Sequence, residues 1–281
     1  MYIDVLFVNN LNKKEVDKEF TNKTSIYNYN LTSLNHDTSS EKVRVINEDI
    51  KTVTYGNINR IIDDEEINPN DIIVTNNLHF NYGWDIAFNP KNINDTEFFN
   101  IDNEVQAVEM MYTEQTTYLE NSKAKGFKYD FKDGKYSFVG ILPKSNEDFQ
   151  LSTINLDSFL LSKKEGNVLI GLPKMNYQSE IDVENLVSNY NIKEIFTEKA
   201  NFTRIAERNL SIAKMTQKNN LTIAEKGTIK STLKQTQTIE IDETLYTEKI
   251  ILNRPYAYLV INNETNDILF IGKVVRVNEG S

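Results

Sequence analysis

The sequence predicts an α+β fold, and three observations predict it. Short segments of strand-like alternation run through most of the chain. A few helix-period segments stand segregated among them. The chain closes on two apolar runs, 257–261 and 268–275, joined by the polar turn Asn262-Asn263-Glu264-Thr265-Asn266-Asp267.

Residues 3–8 read as a strand. Residues 13–27 read as a helix with Val16, Phe20 and Ser25 on one face, followed by a strand at 29–34. Val43, Ile46 and Ile50 have helical spacing, which predicts a helix over 41–54 that Tyr55-Gly56 ends. Residues 71–80 form an apolar-led strand that stops at the Tyr82-Gly83 turn. Strands follow at 105–112, 116–120, 127–131 and 136–142, with Asp133-Gly134 as the hairpin signal between the last two. Residues 151–161 read as a helix, 167–172 as a strand, 181–190 as a short helix and 210–223 as a long strand. No repeat, linker or low-complexity tract divides the 281 residues, so the sequence reads as one domain over 1–281.

Composition narrows the chemistry. A net charge of −10 makes phosphate backbones and anionic lipid poor partners, so neither nucleic acid nor a membrane surface is expected. Without cysteine there is no disulfide, thiolate metal site or cysteine nucleophile. His36 sits in a polar loop and His79 in a strand, neither within a metal or triad pattern, and no glycine-rich phosphate loop is present. Asp63-Asp64-Glu65-Glu66 is a charge run without apolar framing and reads as a solvated loop. No metal, cofactor or enzymatic activity is therefore expected. Asn-x-Ser/Thr sites abound, but a chain this rich in Asn and Thr supplies them by composition. The start has no basic segment and reads as a strand rather than a secretory signal, which favours an intracellular expectation over an extracellular one.

Three stretches carry a resemblance. The first is Asn76-Asn77-Leu78-His79-Phe80-Asn81-Tyr82-Gly83-Trp84-Asp85-Ile86-Ala87-Phe88. The second is Leu221-Thr222-Ile223-Ala224-Glu225-Lys226-Gly227-Thr228. The third is Arg254-Pro255-Tyr256-Ala257-Tyr258-Leu259-Val260-Ile261 with Ile268-Leu269-Phe270-Ile271-Gly272-Lys273-Val274-Val275. In this order and separation they resemble, respectively, a strand of the main sheet, the hinge and the C-terminal hairpin of serpins, the serine protease inhibitor superfamily. Leu172-Pro173-Lys174 and Ile195-Phe196 extend the match. The family fold normally begins with several helices and a strand before the position of Ile3, about a quarter of a usual member. The chain thus resembles N-terminally shortened serpins of the poxvirus type, which would imply viral immune modulation in host cytoplasm.

The resemblance implies a serpin fold with a large mixed sheet, two further sheets and an exposed reactive-centre loop over about 227–246. In that family a protease cleaves the loop, whose upstream part then inserts into the large sheet as a new strand. The partner implied is a serine protease, and the nucleophile is the protease's own. Glu225, Gly227 and Thr228 match the hinge. Beyond it the family favours small residues, whereas here the face that starts at Thr228 carries Lys230, Thr232, Lys234 and Thr236. Burying Lys230 and Lys234 costs several kcal/mol unless they are paired or reach out to water, about enough to offset much of the gain from insertion. The scissile bond falls after Ile241 by counting from Gly227. The tetrapeptide Ile239-Glu240-Ile241-Asp242 instead resembles the sites of caspases and granzyme B, which places the cut between Asp242 and Glu243. Register implies that Asn76 and Gln217 meet at the centre of the main sheet, Gln217 standing where the family has a histidine. Trp84, Lys174 and Glu225 are expected at the sheet top, with Lys174 paired to Glu225. Two functions follow: action on a protease as inhibitor or decoy, or a non-inhibitory scaffold that binds protein partners.

Overall fold

The computed structural model describes residues 2–12, 14, 16–27, 29–63, 66–145, 150–187, 190, 192–228, 236, 237, 239 and 241–277, with backbone only at 2, 3, 236, 237 and 243. In chain order the strands are β1 (Tyr2–Asn9), β2 (Tyr29–Leu34), β3 (Asp71–His79), β4 (Ala87–Phe88), β5 (Ile93–Phe99), β6 (Val105–Glu120), β7 (Ala124–Asp130) and β8 (Tyr136–Pro143). They continue with β9 (Lys163–Pro173), β10 (Met175–Asp182), β11 (Ser211–Ile223), β12 (Thr236–Gln237), β13 (Glu248–Ile251), β14 (Tyr256–Asn262) and β15 (Ile268–Val274). The helices are α1 (Lys18–Ile26), α2 (Ser39–Val53), α3 (Leu156–Leu160) and α4 (Val183–Val187).

The chain divides into two compact units, 1–80 with 177–221 and 81–176 with 222–281. Each is assembled from two separate stretches, so no single linker marks a boundary in the sequence.

A five-stranded sheet runs in the order β10-β11-β3-β1-β2. β11 lies directly beside β3, parallel, from Ser211↔Asp71 to Asn220↔His79, with a bulge between Ile212 and Lys214. In the first unit, Val5, Phe7 and Ile73 pack under the α2 stripe of Val43, Ile46 and Ile50. Val8, Ile72 and Ile212 join a second core with Leu11, Val16, Ile205 and Leu210. This division is the strand period of two at work. Thr38 caps α2 by accepting from Glu41 N. Asp17 caps α1, accepting from Glu19 N and Phe20 N. α1 therefore starts at Lys18, later than the helix expected from residue 13, because the cap fixes the first turn.

In the second unit an eight-stranded sheet takes the order β13-β9-β6-β7-β8-β14-β15, with β5 paired to β6. The two strands expected at 105–112 and 116–120 are one 16-residue strand, β6. An irregularity between Gln115 and Thr117 lets it continue along β9 without a break. The sheet's core gathers Leu119, Val139, Ile141, Phe159, Ala257 and Leu259.

Five strands went unread in the sequence: β4, β5, β10, β12 and β13. Residues 181–190 read as a helix in the sequence, but β10 runs to Asp182 and α4 begins only at Val183. Likewise 151–161 is a 3-10 turn followed by the short α3. The Asn155 side chain accepts from Ser158 N and starts α3 afresh there.

Candidate functional site

In the first unit one polar row crosses four strands of the five-stranded sheet. Asp4 on β1 is the register partner of Tyr29 on β2 and of Asn76 on β3, and Asn76 is the partner of Gln217 on β11. Register partners share a face. The side chains of Asn76 and Gln217 nevertheless bond elsewhere: Asn76 Nδ2 donates to Asp4 Oδ1, and Gln217 Nε2 donates to Asn219 Oδ1 at 3.0 Å. The Asn76–Gln217 bond implied by the resemblance is thus replaced, because Asp4, a charged acceptor, takes the amide of Asn76. Burial raises the Asp4 carboxyl above its usual range, against the lowering effect of the Asn76 hydrogen bond.

The hinge lies in the second unit and is built on Trp84. Its indole stacks on Phe131 with ring centroids 4.3 Å apart and meets Phe88, Tyr129 and Phe138 edge-on. The Trp84 Nε1–H donates to Ala224 O at 2.8 Å, which ties the end of β11 to this cluster. Two more backbone bonds follow, Trp84 N to Lys226 O at 3.2 Å and Phe88 N to Glu225 O at 2.9 Å. Ala224 and Gly227 exchange backbone hydrogen bonds, both 3.0 Å, and close a tight turn. Gly227 has φ +101°, and a Cβ there would strike the Tyr82 carbonyl and lie 2.8 Å from Trp84 N. Only glycine suits this position. Thr228 N then donates to Tyr82 O at 2.8 Å.

Lys174 reaches Glu225 at 3.5 Å and Glu109 at 3.1 Å. The expected pair is therefore part of a triad, and Glu109 on β6 is a partner the sequence did not single out. Lys174 and Glu225 are about three-quarters covered, at 26% and 27% side-chain exposure. Such a pair is worth about 0.2–1 kcal/mol.

Lys230 and Lys234 lie outside the described residues. Farther along the loop, β12 pairs in parallel with β4, Thr236↔Ala87 and Gln237↔Phe88. Asp242 begins a 3-10 turn, Glu243–Leu245, and its carboxylate accepts from Thr244 N at 2.9 Å and Thr244 Oγ1 at 2.7 Å. These bonds hold the Asp242 carboxyl below its usual range. Of the candidate scissile residues, Ile241 is thus half-exposed and Asp242 exposed, with the chain turning immediately after them.

Downstream, Asn167 anchors the loop: its Nδ2 donates to Leu245 O, and its carbonyl accepts from Thr247 N, each at 2.9 Å. β13 runs parallel to β9 from Glu248↔Val168 to Ile251↔Gly171. Glu248 meets Lys125 at 2.5 Å, and Glu120 is held by Lys144 and Lys164, both at 2.6 Å. The Lys144 and Lys164 hydrogen bonds pull the Glu120 carboxyl down to about 2. Sequence reasoning missed Asn167 and Tyr82. Both act on or through backbone groups, which leave no residue signature.

Among the described residues no group of histidine and acidic side chains is arranged to hold a metal. No helix among them is long and apolar enough to cross a membrane.

A family model described as Serpin (serine protease inhibitor) matches residues 5–277. Plasminogen activator inhibitor 1 from Sus scrofa is 27% identical over 246 residues, 82% of this chain and 60% of its own length. An uncharacterized serpin-like protein from Methanosarcina acetivorans is 28% identical over 241 residues, 82% of this chain and 56% of its own. The crystal structure of the thermophilic serpin Tengpin in its native state superposes with a TM-score of 0.81 at 24% identity, covering 98% of this chain and 73% of that one. Native protease nexin-1 with heparin gives 0.84 at 19% identity, with 98% and 76% covered. The chain thus spans about 60% of the length of the curated relatives matched first.

Proposed function

This chain belongs to the serpin family, and we propose that it engages an endopeptidase through the 227–246 loop, as inhibitor or decoy. The observation that carries this reading is the arrangement of strands. β3 and β11 are direct neighbours, while the described mid-loop residues Thr236 and Gln237 pair with β4. Among the described residues none of the loop is a strand between β3 and β11, which supports its being presented as a substrate segment. Gly227, in a backbone conformation that only glycine takes easily, and the small Thr228 sit where the chain leaves β11. Ile241-Asp242 is accessible, which supports a cut after either residue and makes Asp-specific caspases and granzymes candidates beside serine proteases. A viral setting belongs to the same reading and rests on the resemblance to poxvirus-type serpins alone.

A second reading is a non-inhibitory scaffold. It is favoured by the two lysines on the face that insertion would bury, since burying both ammoniums would offset much of what the added strand returns. Incubation with trypsin-like, elastase-like and Asp-specific proteases separates the readings. An SDS-stable adduct marks an inhibitor, and clean cleavage within 236–246 marks a decoy. A loop that every member of the panel leaves intact supports the scaffold and contradicts the proposal.

A further inference from the structure

The segment from Tyr82 to Phe88 touches the loop at two places. At the first, three hydrogen bonds join a single pair of residues. Tyr82 N–H donates to Thr228 Oγ1 at 2.6 Å, Thr228 Oγ1–H donates to Tyr82 O at 3.2 Å, and Thr228 N–H donates to the same carbonyl at 2.8 Å. Two of the three pass through the Thr228 hydroxyl, which here both accepts and donates, a dual capacity that an aliphatic side chain lacks. At the second, β12 pairs with β4 eight to nine residues farther on. The segment itself is fixed from its other side. Lys132 N donates to Gly83 O at 2.8 Å and Asp85 N to Asp130 O at 3.1 Å, while Trp84 stacks on Phe131. The loop, not the segment, is therefore the part free to leave.

We propose that Thr228 is a positioning residue. Through its hydroxyl it clasps the loop to the Tyr82 backbone, and this clasp, together with the β4–β12 ribbon, sets how readily the upstream end departs. Gly227 supplies a turn that bends back toward Tyr82, and Thr228 holds the chain once it is there. Family resemblance marks Thr228 for its small size. The geometry gives its oxygen a separate task, which serine would keep and valine would lose. The functional meaning of the clasp rests on the reading of 227–246 as the protease-facing loop, but the clasp itself is testable without a protease.

The test compares amide hydrogen exchange in the full chain, Thr228→Val and Thr228→Ser. In the parent protein the hydrogen-bonded Tyr82 amide should be protected. Loss of its acceptor in Thr228→Val should speed its exchange about tenfold, while Thr228→Ser stays within about twofold of the parent. The Val139 amide in β8 should not change in either variant. A second variant, Ala87→Cys with Thr236→Cys, joins register partners in a chain that has no other cysteine. It should oxidise in the folded state without denaturant and slow exchange at Tyr82 and Thr228. Equal Tyr82 protection in Thr228→Val and the parent overturns the role of the hydroxyl. Failure of the cysteine pair to oxidise in the folded protein overturns the ribbon. A normal clasp in a chain that no protease cuts would refute the protease reading and leave the clasp standing.

Discussion

Upstream of the loop, residues 224–228 hang on backbone hydrogen bonds, one indole N–H, one hydroxyl and the Glu225–Lys174 ion pair. Downstream, residues 245–251 are held by four pairs of parallel ladder, by Asn167 and by a lysine–glutamate network around Glu120. The upstream contacts are short-range and can be broken a few at a time as a turn rotates about Gly227. The downstream contacts are distributed along a strand and must be lost together. One flank is thus built to let go and the other to stay. A loop cut between them would have its mobility on the upstream side, which is the geometry a strand-inserting family needs.

The comparison can be broken most forcefully at Trp84. Its ring is 5% exposed and stacked on Phe131, and its N–H holds Ala224. Trp84→Ala should destabilise by about 3–5 kcal/mol through cavity formation and the orphaned carbonyl. Denaturant unfolding would measure it, and Trp84→Phe should recover most of the packing but not the tie to Ala224. Asn167→Ala tests the opposite flank. Losing the bond to Leu245 should cost about 0.5–1.5 kcal/mol and make the bonds around residue 245 several-fold more susceptible to limited proteolysis. An unchanged cleavage map would show that β13 holds without it.

Charge reversal at Glu225 sharpens the upstream side. Glu225→Lys sets a like charge 3.5 Å from the present Lys174 contact, and Glu109 alone remains to neutralise both. The direct effect on stability is expected near 0.2–1 kcal/mol, yet the hinge should open and the protein polymerise on mild heating. Size-exclusion profiles before and after heating check this; a variant that stays monomeric and equally stable would remove the triad from the account. The smallest effect concerns Glu120. Its folded-state carboxyl is depressed to about 2 by Lys144 and Lys164, so its contribution is complete above the unfolded value and fades as the pH falls toward 2. Stability profiles of the parent and Glu120→Gln should therefore differ near neutrality and converge at the acid end. The difference should also shrink in high salt, because the lysine heads are solvent-accessible.

Much of this architecture is legible in the sequence where apolar residues gather. β3 and β14 announce themselves as apolar runs and α2 by its stripe at helical period, and the Ala224–Thr228 and Asn76–Phe88 stretches carry the family resemblance. β10 is poorly legible because it is a sheet edge with no buried side chain; its alternating face of Met175, Tyr177, Ser179 and Ile181 is interrupted by a serine and only half-covered. β5 is an acidic edge, and β13 is four residues long. The Lys174–Glu225 pair could be named from the resemblance, but Glu109 could not, since only the β6–β9 ladder brings it there. The same limit hides the Tyr82 clasp, in which one partner is a peptide group common to every residue type.

The measurement that bears most directly on the account is a melting curve before and after a single nick near Asp242. Two lysines on the face that insertion would bury keep the cut loop out of the sheet even though its upstream end can let go, so the melting temperature should rise by only a few degrees. A rise of tens of degrees would mean that a new strand had added ladder bonds and buried area. Lys230 and Lys234 would then be accommodated in the sheet, and the account of a loop held outside it would be wrong.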